Sequence, residues 1–236
     1  GRLEREVAIK VMHPHLAESE DFIARFRREA RSAARLSHPH VVGVFDQGLW
    51  NDSFYLVMEF IDGEDLRARL RREGTMSLRA ALDVTEDVLD ALGAAHRRDL
   101  VHRDIKPENV MISREGEVKV ADFGLVRARS EATSSHSGTI FGTVEYIAPE
   151  LAAHAHATPG ADVYAAGIML YEMLTGEVPF SAEMPINVVL QHVNTDVPRP
   201  SEKVPWIPTE VDELVSALTA RDPEERLSDG DAGVAA

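Results

Sequence analysis

Two short alternating runs, Val110-Met111-Ile112 and Val118-Lys119-Val120, flank Arg114-Glu115-Gly116 and read as a β-hairpin. Centring the turn between residues 115 and 116 pairs 112 with 119 and 110 with 121, which sets Asn109 opposite Asp122 at the open end. The chain must therefore fold so that an amide and a carboxylate arrive together. A carboxylate and an amide carbonyl open to water suit Mg²⁺ shared with phosphate oxygens. Taken alone, an Asn and an Asp that merely flank a turn are the commoner meaning of such a pair.

The rest of the chain divides into two differently built regions. Val7 to Met12 alternates as a strand, with Val7, Ile9 and Val11 on one face and Ala8, Lys10 and Met12 on the other. Ser19 is placed to cap a helix running to about Leu36, in which Phe22, Phe26, Ala33 and Leu36 form an apolar stripe. Glu29 falls inside that stripe, where a carboxylate needs a partner. The arginines at 25, 27, 28, 31 and 35 read as a solvated face with their stems laid along the helix. Residues 41–46 and 54–60 are further strands, and 61–63 a connector. Beyond Gly63, helical periodicity dominates, over 64–72, 78–97, 161–175, 185–194 and 209–220, with only the hairpin between them. The expected class is α+β in two lobes, 1–62 and 63–236.

Composition narrows what such a chain does. Its 236 residues, 44% hydrophobic, suffice for a buried core. The most apolar segment, Ala161 to Leu174, is interrupted by Asp162 and Glu172, so no stretch reads as a membrane span. The absence of cysteine excludes disulfides and thiolate chemistry. A formal charge of −15, from 25 basic and 40 acidic residues, argues against nucleic acid as a partner. The pairs His13/His15, His38/His40 and His154/His156 lack a nearby third ligand and are not read as metal sites. Trp50 and Trp206 read as packing residues.

Around the hairpin the residues become specific. His102-Arg103-Asp104-Ile105-Lys106-Pro107-Glu108-Asn109 leads into it, and Asp122-Phe123-Gly124 follows it. Together with Val7-Ala8-Ile9-Lys10 and Gly142-Thr143-Val144-Glu145-Tyr146-Ile147-Ala148-Pro149-Glu150, these segments resemble eukaryotic-type Ser/Thr protein kinases, and most closely the bacterial, actinobacterial-like branch. The resemblance runs from about Val7 to Leu227. It implies a bilobal kinase fold with a small β-rich lobe carrying one long helix and a larger helical lobe. It also implies transfer of the ATP γ-phosphoryl group to Ser/Thr hydroxyls of protein substrates.

By this resemblance Lys10 holds the α/β-phosphates and Glu29 fixes its ammonium, while Asn109 and Asp122 hold Mg²⁺. Asp104 orients the substrate hydroxyl and takes its proton, and Lys106 reaches the γ-phosphate. Met58 guards the back of the adenine pocket, Glu59 and Ile61 meet the base through their backbones, and Ala8 forms part of its ceiling. Asp65 is a candidate for the ribose hydroxyls, with a helix-entry carboxylate an equal reading. Phe123 belongs to the metal-binding segment, and Thr143 lies near the substrate hydroxyl. Asp162 braces the catalytic loop, and Arg226 pairs with Glu150. Ser137 and Thr139 are the candidate autophosphorylation sites, because a phosphate there would find Arg103 beside Asp104. The acidic large lobe and Glu108, which in some relatives greets a substrate arginine, point weakly to basic substrates, with a solvated acidic face the commoner reading of both.

The family's glycine-rich phosphate loop is expected some distance before the lysine strand, yet nine residues precede Lys10. The final stretch from Asp229 lacks periodicity. The expectation is a kinase domain truncated at both ends, without its first two strands and with its last helix missing or degraded. The alternative is a catalytically impaired scaffold or inactive fragment. Relatives imply a cytoplasmic domain, homodimerisation through the small lobe, and membrane attachment only through segments outside this chain.

Overall fold

The computed structural model describes residues 5–12, 20–51, 53–123, 144–152 and 157–236. Ser19, His13, His15, Gly124, Ser137, Thr139, Gly142, Thr143, His154 and His156 lie outside them. The small lobe is a three-stranded antiparallel sheet ordered β1-β3-β2, with β1 Val7–Val11, β2 Val44–Trp50 and β3 Ser53–Glu59. Helix α1, Glu20–Ala33, packs on it through Phe26 and Ala30, which meet Met12, Phe54 and Leu56 in a compact apolar cluster. The phenyl rings of Phe26 and Phe54 lie 5.6 Å apart, tilted, the offset arrangement aromatic pairs prefer. Met12 and the Ala8/Lys10 side of β1 therefore face inward. The opposite face, carried by Ile9 and Val11, is open, each side chain being 61% exposed.

Strand β2 starts three residues later than the 41–46 reading, because residues 41 and 42 are drawn to the other sheet. Val41 bridges Val120, and the Val42 N–H donates to the Val120 carbonyl at 2.9 Å. A register shift between Val44 and Asp46 absorbs the change of direction. Trp50 is exposed at the end of this hairpin, beside the left-handed Asn51 (φ 46°), and Trp206 is exposed in a turn, so neither is a packing residue. Both stand where the chain reverses, beyond the reach of either core.

The second sheet is ordered β4-β5-β6, with β4 Gly63–Asp65, β5 Val110–Ser113 and β6 Val118–Val120. What reads in sequence as the end of a connector is thus a strand in its own right. The hairpin register also differs by one residue from the centred turn. Val110 pairs with Val120, Met111 with Lys119 and Ile112 with Val118. The connection is a three-residue loop closed by the Ser113 N–H on the Glu117 carbonyl at 2.9 Å, with Gly116 at φ +89°, a conformation glycine adopts without steric cost. Asn109 consequently faces Ala121, whose N–H it accepts at 2.8 Å, and Asp122 stands one residue beyond.

Helices build the remainder: α2 Leu66–Glu73, α3 Leu78–His96, α4 Pro149–Ala152, α5 Pro159–Thr175, α6 Pro185–Asn194, α7 Pro200–Lys203, α8 Thr209–Leu218 and α9 Gly230–Ala235. Helix α5 is the axis of the lobe, buried from Gly160 to Leu174 on every side. Proline at its first turn and left-handed Gly176 at its end (φ 82°) set its limits. Helix α3 lays Ala81, Val84, Val88 and Leu92 against it at helical spacing. Residues 229–236, which lack apolar periodicity, are nonetheless ordered into α9. Asp229 caps it by accepting the Ala232 N–H, and glycine replaces apolar contact with close approach. A Cβ on Gly230 would stand 2.2 Å from the Leu89 carbonyl of α3. The last segment is thus a glycine- and alanine-rich helix rather than a degraded one. No helix among the described residues is long and apolar enough to cross a membrane.

Candidate active site

The site is assembled around one buried carboxylate. Asp162, in the first turn of α5, accepts the backbone N–H groups of His102 and Arg103, each at 2.7 Å, and lies 3.0 Å from His96 Nε2. The His96 Nδ1 accepts the Gly230 N–H at 3.2 Å, so the ring is neutral with its proton on Nε2, donated to Asp162. Arg103 is held left-handed (φ 73°), a conformation that costs a non-glycine residue on the order of 1–3 kcal/mol. The bonds to Asp162 offset that cost and fix the loop that follows.

Next along the chain, Asp104 and Lys106 face each other at 2.8 Å. The Asn109 amide nitrogen donates to the Asp104 carbonyl at 2.7 Å and lies 3.3 Å from its carboxylate. Those contacts commit the nitrogen end of the amide and leave its oxygen as the ligand-capable end. His102 links this loop to the hairpin. Its Nδ1 accepts the Asp104 N–H at 3.2 Å, its Nε2 donates to the Ala121 carbonyl at 2.8 Å, and its ring meets Phe123 edge-on at 4.8 Å. Asp122 is itself left-handed (φ 65°), which turns its carboxylate out of the strand line and toward β1. There it pairs with the Lys10 ammonium.

That pairing corrects one expectation. Lys10 meets Asp122, and Glu29 Oε1 instead lies 3.7 Å from Arg103 Nη1. Sequence spacing fixes the face from which each charge leaves its helix or strand. It does not fix which of several opposite charges within reach is met.

The nucleotide-pocket candidates are brought together by sheet register. Ala8 stands directly opposite Met58 across β1 and β3. The Glu59 N–H is committed to the Gly43 carbonyl at 2.8 Å, and its carboxylate is held by Lys119 at 3.0 Å and the Gly43 N–H at 3.1 Å. Ile61 is half-buried in the stretch between the sheets. Asp65 caps α2, accepting the Ala68 N–H at 2.8 Å, which is the helix-entry reading of that residue.

Away from the cleft, Arg226 and Glu150 form a two-point pair at 2.7 and 3.1 Å. The guanidinium is sealed from solvent and also donates to the carbonyls of Gly160, Ala220 and Arg221. A second cluster has no counterpart in the sequence reading. Arg67 of α2 binds Glu172 of α5 at 2.5 and 3.3 Å, Glu108 at 3.0 Å, and the Tyr146 hydroxyl, which itself donates to Glu172 at 2.5 Å. Burial and the neighbouring Glu172 push the Tyr146 hydroxyl well above the usual phenol range. Burial works against the Arg67 charge, but Glu172, Tyr146 and Glu108 together outweigh it and hold the guanidinium above the usual arginine range. The signal available in sequence was Glu172 itself, a carboxylate in an otherwise apolar helix. His96 carried no such signal.

This architecture, two lobes with an aspartate, a lysine and an asparagine on a braced loop and a carboxylate one turn beyond a hairpin, is that of a phosphoryl-transfer domain. Residues 2–233 match the protein kinase domain, and the chain belongs to that family. It is 47% identical over 97% of its length to the probable serine/threonine-protein kinase pknA2 of Bifidobacterium longum, and 46% identical over 97% to serine/threonine-protein kinase PknL of Mycobacterium tuberculosis. It spans 31% and 57% of the length of those two relatives. The crystal structure of the Mycobacterium tuberculosis PknI kinase domain superposes with a TM-score of 0.75 at 29% identity, covering 97% of this chain and 83% of that one. The chain is a bacterial-type serine/threonine protein kinase domain, α+β in class.

Proposed function

We propose that this domain, within its parent protein, transfers the γ-phosphoryl group of ATP to serine and threonine hydroxyls of protein substrates, with its small lobe spanning residues 1–62 and its large lobe 63–236. The observation that carries the reading is the loop from His102 to Asn109. It is braced by Asp162 and presents a carboxylate, an ammonium and an amide in fixed relation. Phosphoryl transfer passes through a loose transition state, so catalysis is mainly positioning and charge stabilisation.

In this reading Asp104 orients the acceptor hydroxyl and takes its proton, and Lys106 counters charge on the γ-phosphate. Asn109 and Asp122 would hold Mg²⁺. Both offer hard oxygen donors, and Asp122 already takes a cation in the Lys10 ammonium. When bound, Mg²⁺ neutralises phosphate charge. Lys10 turns from Asp122 to the nucleotide phosphates, and Glu29 from Arg103 to Lys10. Ala8, Met58, Glu59 and Ile61 line the base. Ser137 and Thr139 are the proposed autophosphorylation sites, with Arg103 as phosphate partner and Thr143 near the acceptor. The domain is proposed to work in the cytoplasm, as a homodimer through the small lobe, with any membrane attachment supplied by segments outside this chain.

The test is ATP-dependent labelling of a generic Ser/Thr-containing protein by the intact parent protein, with Asp104→Asn as control. Labelling that falls by about 100-fold or more in the variant is expected. Equal labelling by both would refute the role of Asp104, and none by either would refute the function. Mass spectrometry after incubation with MgATP checks Ser137 and Thr139.

A further inference from the structure

The basic-substrate reading of Glu108 rests on that carboxylate being open to a substrate cation. In the structure one of its oxygens is already held by a cation of the chain itself. Glu108 lies four residues beyond Asp104 on the braced loop and is partly exposed, within reach of a peptide that brings a hydroxyl to Asp104, and the buried Tyr146 lies behind it. Behind them is Glu172, only 7% exposed. Two carboxylates and a phenol here would form a receptor for one guanidinium. The chain supplies that guanidinium itself.

Every nitrogen of Arg67 is committed: Nε to Glu108 at 3.0 Å, Nη1 to Glu172 at 2.5 Å, and Nη2 to Glu172 at 3.3 Å and to Tyr146. The side chain is 17% exposed against 40% for Glu108, so the arginine fills the receptor from inside and Glu108 forms its rim. Arg67 cannot leave cheaply. A buried carboxylate stripped of its cation costs on the order of 3–5 kcal/mol, more than the net gain from exchanging it for an equivalent arginine on a substrate.

We propose that Arg67 is a specificity-determining residue that occupies the acidic subsite of Glu108 and Glu172 with a built-in cation, so that the kinase does not select substrates for a basic residue there. This inference rests on the proposed kinase function. It narrows the substrate class to Ser/Thr peptides chosen without a flanking arginine or lysine at that subsite. Removing Arg67 opens the receptor and creates the basic preference that the wild type lacks.

The experiment uses the intact parent protein and a peptide set of one scaffold, with a single Ser acceptor and one Arg or one Ala placed in turn at each flanking position. For the wild type, Arg and Ala peptides are expected to differ in kcat/KM by less than about threefold at every position. In Arg67→Ala, one position is expected to favour Arg by about tenfold or more, the scale of one charge-assisted contact, and Glu108→Gln added to it reduces that gain. Circular dichroism establishes that Arg67→Ala is folded. Should it not fold, Glu108→Gln alone decides, because that side chain is half-exposed at the rim. Its Arg/Ala ratios stay at the wild-type values if Arg67 holds the subsite, and one falls about tenfold if a substrate arginine does. A wild type that favours Arg by tenfold at a position sensitive to Glu108→Gln overturns the inference. So does a folded, active Arg67→Ala without a new preference. Absence of any phosphorylation by the wild type, of peptides or of a generic protein, refutes the proposed function and the inference with it, whereas activity without the switch refutes the inference alone.

Discussion

Asp162 in the large lobe accepts three hydrogen bonds while almost fully buried, and Arg226 makes a two-point ion pair and reaches three carbonyls. Among the described residues Lys10 in the small lobe is held by one ion pair, and its side chain is about a third exposed. Glu29 lies against Arg103, a residue of the other lobe. The groups expected to meet the acceptor hydroxyl are therefore fixed by redundant contacts within one core. Lys10, expected to meet the nucleotide phosphates, is instead fixed among the described residues by an ion pair across the cleft. Redundancy suits groups that must be in place before substrate arrives, since preorganised charge costs no rearrangement at the moment of reaction. A partly exposed ion pair is cheaper to exchange than a buried one, which suits a group that must change partner.

The sharpest way to break this contrast is Asp162→Ala. It leaves the N–H groups of His102 and Arg103 and the Nε2 proton of His96 without their acceptor in a dry interior. At roughly 1–3 kcal/mol for each orphaned donor, unfolding in urea should show a loss of about 3–9 kcal/mol. Activity should fall with it, because the bond that holds the Arg103 N–H in its left-handed conformation is gone. A variant that keeps its stability and loses only activity would mean that the brace is local and the lobe less interdependent than its contacts imply.

Glu150→Gln tests the same lobe at a distance from the chemistry. The guanidinium of Arg226 keeps its three carbonyls but loses its counter-charge, at a cost of about 3 kcal/mol. The measurement is again the urea midpoint, and the replacement of Arg226 by Leu in the same background should recover part of the loss, since the unpaired charge is then gone.

These contacts also show what could be read from the chain and what could not. Element type was legible wherever one face is buried. The stripe of α1, the periodicity of α3 and the apolar run of α5 each reflect a core on one side or all round. Motif residues were legible because their spacing is local. The hairpin register was not, since Arg114-Glu115-Gly116 suits a two-residue turn as well as the three-residue loop that Ser113 and Glu117 close. Helix α9 was hidden because it packs through glycine, which leaves no hydrophobic pattern. The partners of Lys10, Glu29 and Arg67 were hidden for a different reason. Each is a charge with several opposite charges in reach, and tertiary geometry alone chooses among them. Glu172 was the exception in kind: a carboxylate in a buried helix demands a cation, although the sequence could not say that α2 provides it.

The large lobe has a pH-dependent weak point of its own. His192 is buried, with Nδ1 2.8 Å from the Tyr164 hydroxyl and the Phe180 ring edge-on at 4.9 Å, and burial pushes its pKa down from 6.5 to about 4. The folded state thus keeps the ring neutral where the unfolded chain would protonate it. Stability is unaffected above pH 6.5, falls as pH drops below 6.5 because the unfolded state takes up the proton, and levels off below about 4. At pH 5 the loss should be about 2 kcal/mol. Urea midpoints of wild type and His192→Gln, followed from pH 7 to pH 5, should converge by that amount. Parallel curves would show that another group carries the acid sensitivity.

The smallest effect on stability should come from the residue with one of the largest expected effects on activity. Lys10→Met removes one partly exposed ion pair and leaves Asp122 with solvent in reach, so the urea midpoint should move by less than about 1 kcal/mol. Phosphoryl transfer should nevertheless fall by about 100-fold or more, since the variant has lost the charge proposed to hold the phosphates. The same substitution should leave hydrogen exchange in α5 unchanged, because no contact of Lys10 reaches that helix. The division between the lobes is sharpest here. In the large lobe a substitution at the site costs stability and activity together, and in the small lobe it costs activity alone. A Lys10→Met protein destabilised as much as Asp162→Ala would erase that distinction and make the Lys10–Asp122 pair a structural clasp between the lobes rather than a contact made to be exchanged.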